Sequence, residues 1–258
     1  WTSAAWALEG AGAFWVGMRQ ARWMPRAFGL ALQALGMLMV LVTSQPNISA
    51  MPVLNNAFIG PLLVALPMLL TAWWLRRELP HSGSDWAEGW ERLERGLQYP
   101  WFLVGAVLVV LATVSEIGRQ LPAANAEDWP KAVLTDWQQV LATVLAMLGL
   151  MALSDRLGRK RDWEVATWPA RLSFVVIVLG FLGVLVAGRH LLTWPDLLAW
   201  IVAAALHLWL LHRQDKAEGE HKSGWNGGVH TAGALLATLW IADSLFLGGD
   251  VHDLRGEH

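Results

Sequence analysis

Long apolar runs alternate with short charged stretches along the whole chain, and the clearest run is Leu172–Gly188, LSFVVIVLGFLGVLVAG. It carries no charge, and Arg171 and Arg189 stand at its two ends. At about 1.5 Å of rise per residue the run is about 26 Å long, close to the thickness of a hydrocarbon core. The two arginines can keep their stems in the apolar layer and lift their charged ends toward the headgroups. The same pattern predicts about eight spans, over residues 4–18, 27–44, 55–75, 99–116, 132–153, 172–188, 197–211 and 229–247. The expected fold class is therefore all-α, a polytopic transmembrane helix bundle treated as one unit over residues 1–258.

The stretches between the runs carry the local signals. Gln45–Pro52 holds Pro46, Asn47 and Pro52, which are turn residues. Pro61 and Pro67 fall inside the third run and predict a kink there. Asp85, or Ser84 before it, is placed to cap a helix with Glu88 in its first turn. Residues 86–98 then alternate so that Trp86, Trp90, Leu93 and Leu97 share one face and charges take the other, which predicts an interfacial amphipathic helix. Asp128-Trp129-Pro130, Thr167-Trp168-Pro169 and Thr193-Trp194-Pro195 repeat one signal. In each, a capping residue precedes proline, whose missing donor is harmless in a helix's first turn, so each predicts a helix start. Ser154–Arg171 reads as a basic linker and Arg213–Trp225 as a charged one.

Composition supports this picture and orients it. Charged residues make up 16% of the chain, against about 25% in a soluble domain. An outer-membrane barrel is excluded, because its strands alternate and do not produce long apolar runs. Eighteen tryptophans stand against one tyrosine, and tryptophan favours the membrane–water boundary. With the N-terminus outside, fifteen of the nineteen lysines and arginines fall in inside segments. That asymmetry obeys the positive-inside rule and predicts a multi-pass inner-membrane protein with a periplasmic N-terminus. No basic tract points to nucleic acid. The absence of cysteine removes thiolate metal sites and cysteine catalysis. The start at Trp1 predicts a section of a longer protein.

Several short segments carry a family likeness. They are Trp6-Ala7-Leu8-Glu9-Gly10, Phe14-Trp15-Val16-Gly17, Arg19-Gln20, Arg26-Ala27-Phe28-Gly29-Leu30 with Leu32-Gln33, and the late Val229-His230-Thr231. In these segments the chain resembles the bacterial family of large predicted membrane proteins called domain of unknown function 2339. The resemblance implies a multi-spanning inner-membrane protein and brings no activity with it.

Ionisable groups inside a membrane call for a functional explanation first. Glu9, Glu116, Asp136 and Asp243 all fall in the outer third of their predicted spans. Together they could form an outer-side polar site for a cation, a proton or a lipid headgroup. Alternatively, each is solvated at the boundary or paired with Arg119, Arg189 or Lys131. His207 lies about ten residues from either end of its extended helix, where it could bond across helices, relay a proton or hold a metal. No second histidine lies one turn away on the apolar face, so a metal site is not expected and a helix–helix hydrogen bond is the plainer role. Gln33 invites the same plain reading. Glycines 10, 12, 17, 180 and 183 suit close helix packing.

No phosphate-binding glycine loop, nucleophile elbow or zinc motif is present. The reading therefore favours a non-enzymatic transport, lipid-handling or envelope role over an intramembrane transferase using Glu9, Asp243 or His207 as a base. No cofactor is expected. Membrane lipids and other membrane or envelope proteins are the expected partners. The competing reading is a scaffold that docks proteins through the 86–98 helix and the basic loops.

Overall fold

In lipid every backbone N–H and C=O must be satisfied within its own segment, so an uncharged run of this length has little choice but to be helical. The computed structural model describes residues 2–43, 53–77, 85–119, 136–186 and 196–218, together with 227–229, 231, 233 and 238. Every regular element among them is helical. Helices α1 (Thr2–Arg19), α2 (Trp23–Thr43), α3 (Asn56–Leu75) and α4 (Asp85–Gly118) come first. Then follow α5 (Asp136–Lys160), a 3-10 helix (Glu164–Leu172), α6 (Ser173–Val186) and α7 (Asp196–Glu218). Among the described residues six segments are long and apolar enough to cross a membrane: 23–43, 56–75, 85–118, 138–160, 164–184 and 197–217. The predicted first span is helical as α1 but is not among the six. Most of the predicted eighth span, 229–247, lies outside the described residues, as does Asp128-Trp129-Pro130.

Three boundaries differ from the sequence reading. The interfacial helix expected at 86–98 and the span expected at 99–116 form one helix of 34 residues. Pro100 lies inside it, but tertiary bonds hold the helix on both sides of the proline, through Glu94 below and Trp101 above. The expected linker 154–171 is structured throughout. Helix α5 runs on to Lys160, and the Thr167-Trp168-Pro169 signal falls inside the 3-10 helix rather than at an α-helix start. Helix α7 continues to Glu218, seven residues beyond the predicted end at 211, so polar residues that a hydropathy reading assigns to a linker are helical. In α3 the helix runs through both Pro61 and Pro67.

The chain divides into two compact units, Trp1–Val133 and Leu134–His258. In the first, α1 packs on α2 and α3 on α4. Glycine makes the first pairing possible. A Cβ on Gly10 would come within 2.5 Å of the Gly29 carbonyl oxygen, and one on Gly29 within 2.7 Å of the Phe14 amide nitrogen. Backbone meets backbone at these points, so no side chain could move aside to make room. Ala21, with φ of 54°, turns the chain between the two helices. Phe14 stacks on Trp74, ring centroids 6.2 Å apart, and joins Leu30 and Leu75 in one apolar cluster. Val64, Ala65, Met68 and Leu108 form another with Ala7 and Val40.

Gln33 fastens three helices in the first unit. Its Nε2 donates to Thr71 Oγ1 at 2.7 Å, and its Oε1 accepts from Trp101 Nε1 at 2.9 Å. Interhelical polar contacts in membranes average about 0.6 kcal/mol each. Gln33→Leu is therefore expected to lower stability by about 1 kcal/mol in a reversible micelle unfolding titration. A loss above about 3 kcal/mol would show that the amide does more than join helices.

The second unit packs α5 against α6, α7 and the 3-10 helix. Leu141, Val144, Leu148, Met151, Val176, Trp200 and Leu210 belong to its core. At Gly158 a Cβ would lie 2.9 Å from both Thr167 Cγ2 and the Trp163 carbonyl oxygen, so glycine is what lets the 3-10 helix sit tight against the end of α5.

Candidate functional site

The five residues singled out from the sequence reach different surroundings. Glu9 lies on the exposed face of α1, while Ala7, Gly10 and Ala11 beside it are buried. Glu116 is buried and fully engaged. Its Oε1 accepts from the Val53 N–H at 2.8 Å, its Oε2 accepts from Asn55 Nδ2 at 2.9 Å, and Arg119 Nε lies 3.3 Å away. Asn55 in turn caps α3 by accepting from the Phe58 N–H at 2.9 Å. Glu116 thus pins the chain where it enters α3, and no contact joins it to Glu9. Asp136 is the first residue of α5. Asp243 lies outside the described residues. His207 is buried, with its Nδ1 3.0 Å from Ser173 Oγ and its ring 6.1 Å from that of Phe174. It links α7 to the start of α6.

Two ionic clusters escaped the sequence reading. In the first unit Arg26 and Glu94 form a buried ion pair, Nε to Oε1 at 3.0 Å, with side chains 0% and 2% exposed. Trp90 Nε1 also donates to Glu94 Oε1, and Trp23 packs on Trp90. Arg26 reads as one of three loop arginines, and Glu94 as part of a solvated face. The available hint was Trp90 one turn before Glu94.

In the second unit Asp155 is completely buried and accepts from Arg159 Nε at 2.8 Å, one turn later on α5. Its other oxygen lies 3.3 Å from Arg213 Nε on α7. Arg213 stacks over Trp209 at 4.6 Å. Ser154 Oγ donates to the Ala166 carbonyl at 2.6 Å, so α5 holds the 3-10 helix as well as α7. The hint here was the i,i+4 spacing of Asp155 and Arg159, which is favourable only if the helix continues past 153.

This fastened end of the second unit holds an open cleft of about 410 Å³. Arg159, Arg171, Gln214, Trp163 and Thr167 line it, with Asp162 and Glu164. A second cleft of about 390 Å³ shares Arg159 and adds His212, Arg213 and Lys216. Gln214 is only 7% exposed, and its amide Nε2 is buried without a hydrogen-bond partner. A buried donor left unsatisfied costs about 1–3 kcal/mol, and Trp163 Nε1 on the same cleft is a second such donor. Among the described residues no carboxylate pairs with Arg171. Two arginines and a glutamine lining one cleft are donors that suit a phosphate oxygen, which accepts several hydrogen bonds and carries charge. Among the described residues no group of three His, Asp or Glu side chains is placed to hold a metal.

A family model described as a predicted membrane protein, DUF2339, matches residues 1–242. No curated protein and no solved structure matches the chain.

Proposed function

The chain belongs to the DUF2339 family of predicted membrane proteins, and we propose that it is a non-catalytic lipid-handling module that takes the phosphate of a phospholipid headgroup into the cleft beside Gln214. The observation that carries this reading is the buried, unpartnered Gln214 Nε2 in a cleft that also presents Arg159 and Arg171. Trp163, Trp168 and Trp209 lie around the same end of the unit, where a headgroup boundary favours tryptophan. The positive-inside count assigns this end to the cytoplasmic face of an inner membrane, so the ligand would come from the inner leaflet. The outer-side carboxylates have a smaller part in this reading, since Glu116 is occupied by the chain itself.

The test is retention of phospholipid by the whole chain in detergent, read by native mass spectrometry. The unaltered protein is expected to keep phospholipid at protein-to-lipid ratios where Arg171→Ala combined with Gln214→Leu does not. Losing one charged hydrogen bond and one neutral one should weaken binding about 10- to 100-fold. Equal retention by both proteins would overturn the reading.

A second reading, protein docking, is favoured by one observation. Trp86 is 81% exposed and Leu93 is 53% exposed on the N-terminal part of α4. Crosslinked partners that disappear in a Trp86→Ala, Leu93→Ala double variant, with lipid retention unchanged, would favour it.

A further inference from the structure

We infer that the headgroup received by this cleft is zwitterionic, a phosphate joined to a primary ammonium as in phosphatidylethanolamine, rather than a purely anionic one. The inference rests on the lipid-handling reading and sharpens it. A cleft built for an anion alone would be lined by cations and neutral donors. This one carries Arg159 and Arg171, but also Glu164 and Asp162. Arg159 is already paired with Asp155, and the exposed Arg171 and Glu164 give the cleft one charge of each sign. A second anionic group on the ligand would meet the Glu164 carboxylate in the same space, and like charges held close in a partly desolvated site repel.

The arrangement of the lining gives each part of such a headgroup a place. Gln214 comes from α7 and Arg159 from α5, and Asp155 fastens those helices to each other by pairing with Arg159 and with Arg213, the residue before Gln214. The phosphate belongs with Gln214 Nε2 and the guanidinium groups, because these are the donors. Asp162, Trp163 and Glu164 come from the turn and from the start of the 3-10 helix. The turn is held by the Trp163 N–H donating to the Gly158 carbonyl at 2.7 Å, with Asp162 in the left-handed region at φ of 51°. An ammonium group two carbons from the phosphate belongs with the Glu164 carboxylate there. The carboxylate of Glu164 is exposed and Thr167 Oγ1 bonds only its backbone carbonyl, so its charge is available to a ligand.

The experiment loads the whole chain in micelles with equimolar phosphatidylethanolamine, phosphatidylglycerol and phosphatidylcholine and reads the retained lipids by native mass spectrometry. Phosphatidylethanolamine should exceed phosphatidylglycerol by about fivefold, the size of one partly exposed charge pair. Glu164→Gln should remove that preference by lowering phosphatidylethanolamine retention about fivefold, to the level of phosphatidylglycerol, with phosphatidylglycerol retention not reduced. Phosphatidylcholine should rank below phosphatidylethanolamine, because its quaternary nitrogen donates no hydrogen bond to a carboxylate. Phosphatidylglycerol retained as well as phosphatidylethanolamine, with both lost in the Arg171→Ala, Gln214→Leu variant, would overturn this inference and leave the phosphate site standing. Retention that ignores Arg171 and Gln214 altogether would overturn both. Equal binding of water-soluble glycerophosphoethanolamine would overturn the assignment to a lipid.

Discussion

Replacing Glu94 with leucine is expected to lower the stability of the first unit by about 3–5 kcal/mol, the usual cost of removing one partner from a buried ion pair. The reason is the arginine left behind. Arg26 is 0% exposed and packed against the Gly17 turn of α1, where a Cβ on Gly17 would already crowd Arg26 Cγ at 2.6 Å. Its buried guanidinium group would then lose the carboxylate that now balances it. The Arg26→Leu, Glu94→Leu double variant should recover most of the loss, because well-packed apolar residues often replace a buried pair at little net cost. Reversible unfolding in mixed micelles, followed by helical circular dichroism, gives all three values. A single variant within about 1 kcal/mol of the unaltered protein would show that Arg26 finds water without Glu94.

In the second unit the larger effect is expected from the opposite partner. Asp155 is the buried member of its cluster, whereas the Arg159 and Arg213 side chains are 26% and 28% exposed. Removing both arginines with Arg159→Leu and Arg213→Leu strands a buried carboxylate, at about 3–5 kcal/mol. Asp155→Leu leaves two arginines that can turn outward to water, and should cost nearer 1–3 kcal/mol, about the value of charged hydrogen bonds. The order of these two losses in the same unfolding assay checks the burial pattern directly. A greater loss for Asp155→Leu would mean that the arginines, and not the carboxylate, are the trapped charges. Both changes should also loosen α5 from α7, so lipid retention at the cleft should fall with stability.

The contrast between the two ionic clusters and the carboxylates picked from sequence shows where reading along the chain reaches its limit. Glu116 and Glu94 look alike in a hydropathy profile, each an acid at the margin of an apolar run. Glu116 is taken up by residues 53–55, some sixty positions earlier, and Glu94 by Arg26, 68 positions earlier. Nothing in the local spacing distinguishes those fates. Likewise Gln214 reads as an ordinary polar residue in a charged linker until α7 is seen to continue through it and bury it. The plain role foreseen for His207 and Gln33, a hydrogen bond between helices, needed only the observation that each is a lone polar group in an apolar helix.

The sequence by itself determined that this chain is helical and built of segments able to cross a membrane, and it carried the family likeness that the match over residues 1–242 established. Lipid offers the backbone no partner but itself, so about twenty apolar residues settle both the conformation and the environment of a segment. Only the tertiary structure decided that 85–118 is one helix, that α5 runs on to Lys160 with the 3-10 helix packed on its end, and that Arg159, Arg171 and Gln214 share a cleft. The periodicity of a helix gives a residue's height and its angle about its own axis. Which neighbour fills that angle depends on how helices pack, and here packing was set by glycines that admit close backbones and by buried charges that require a partner.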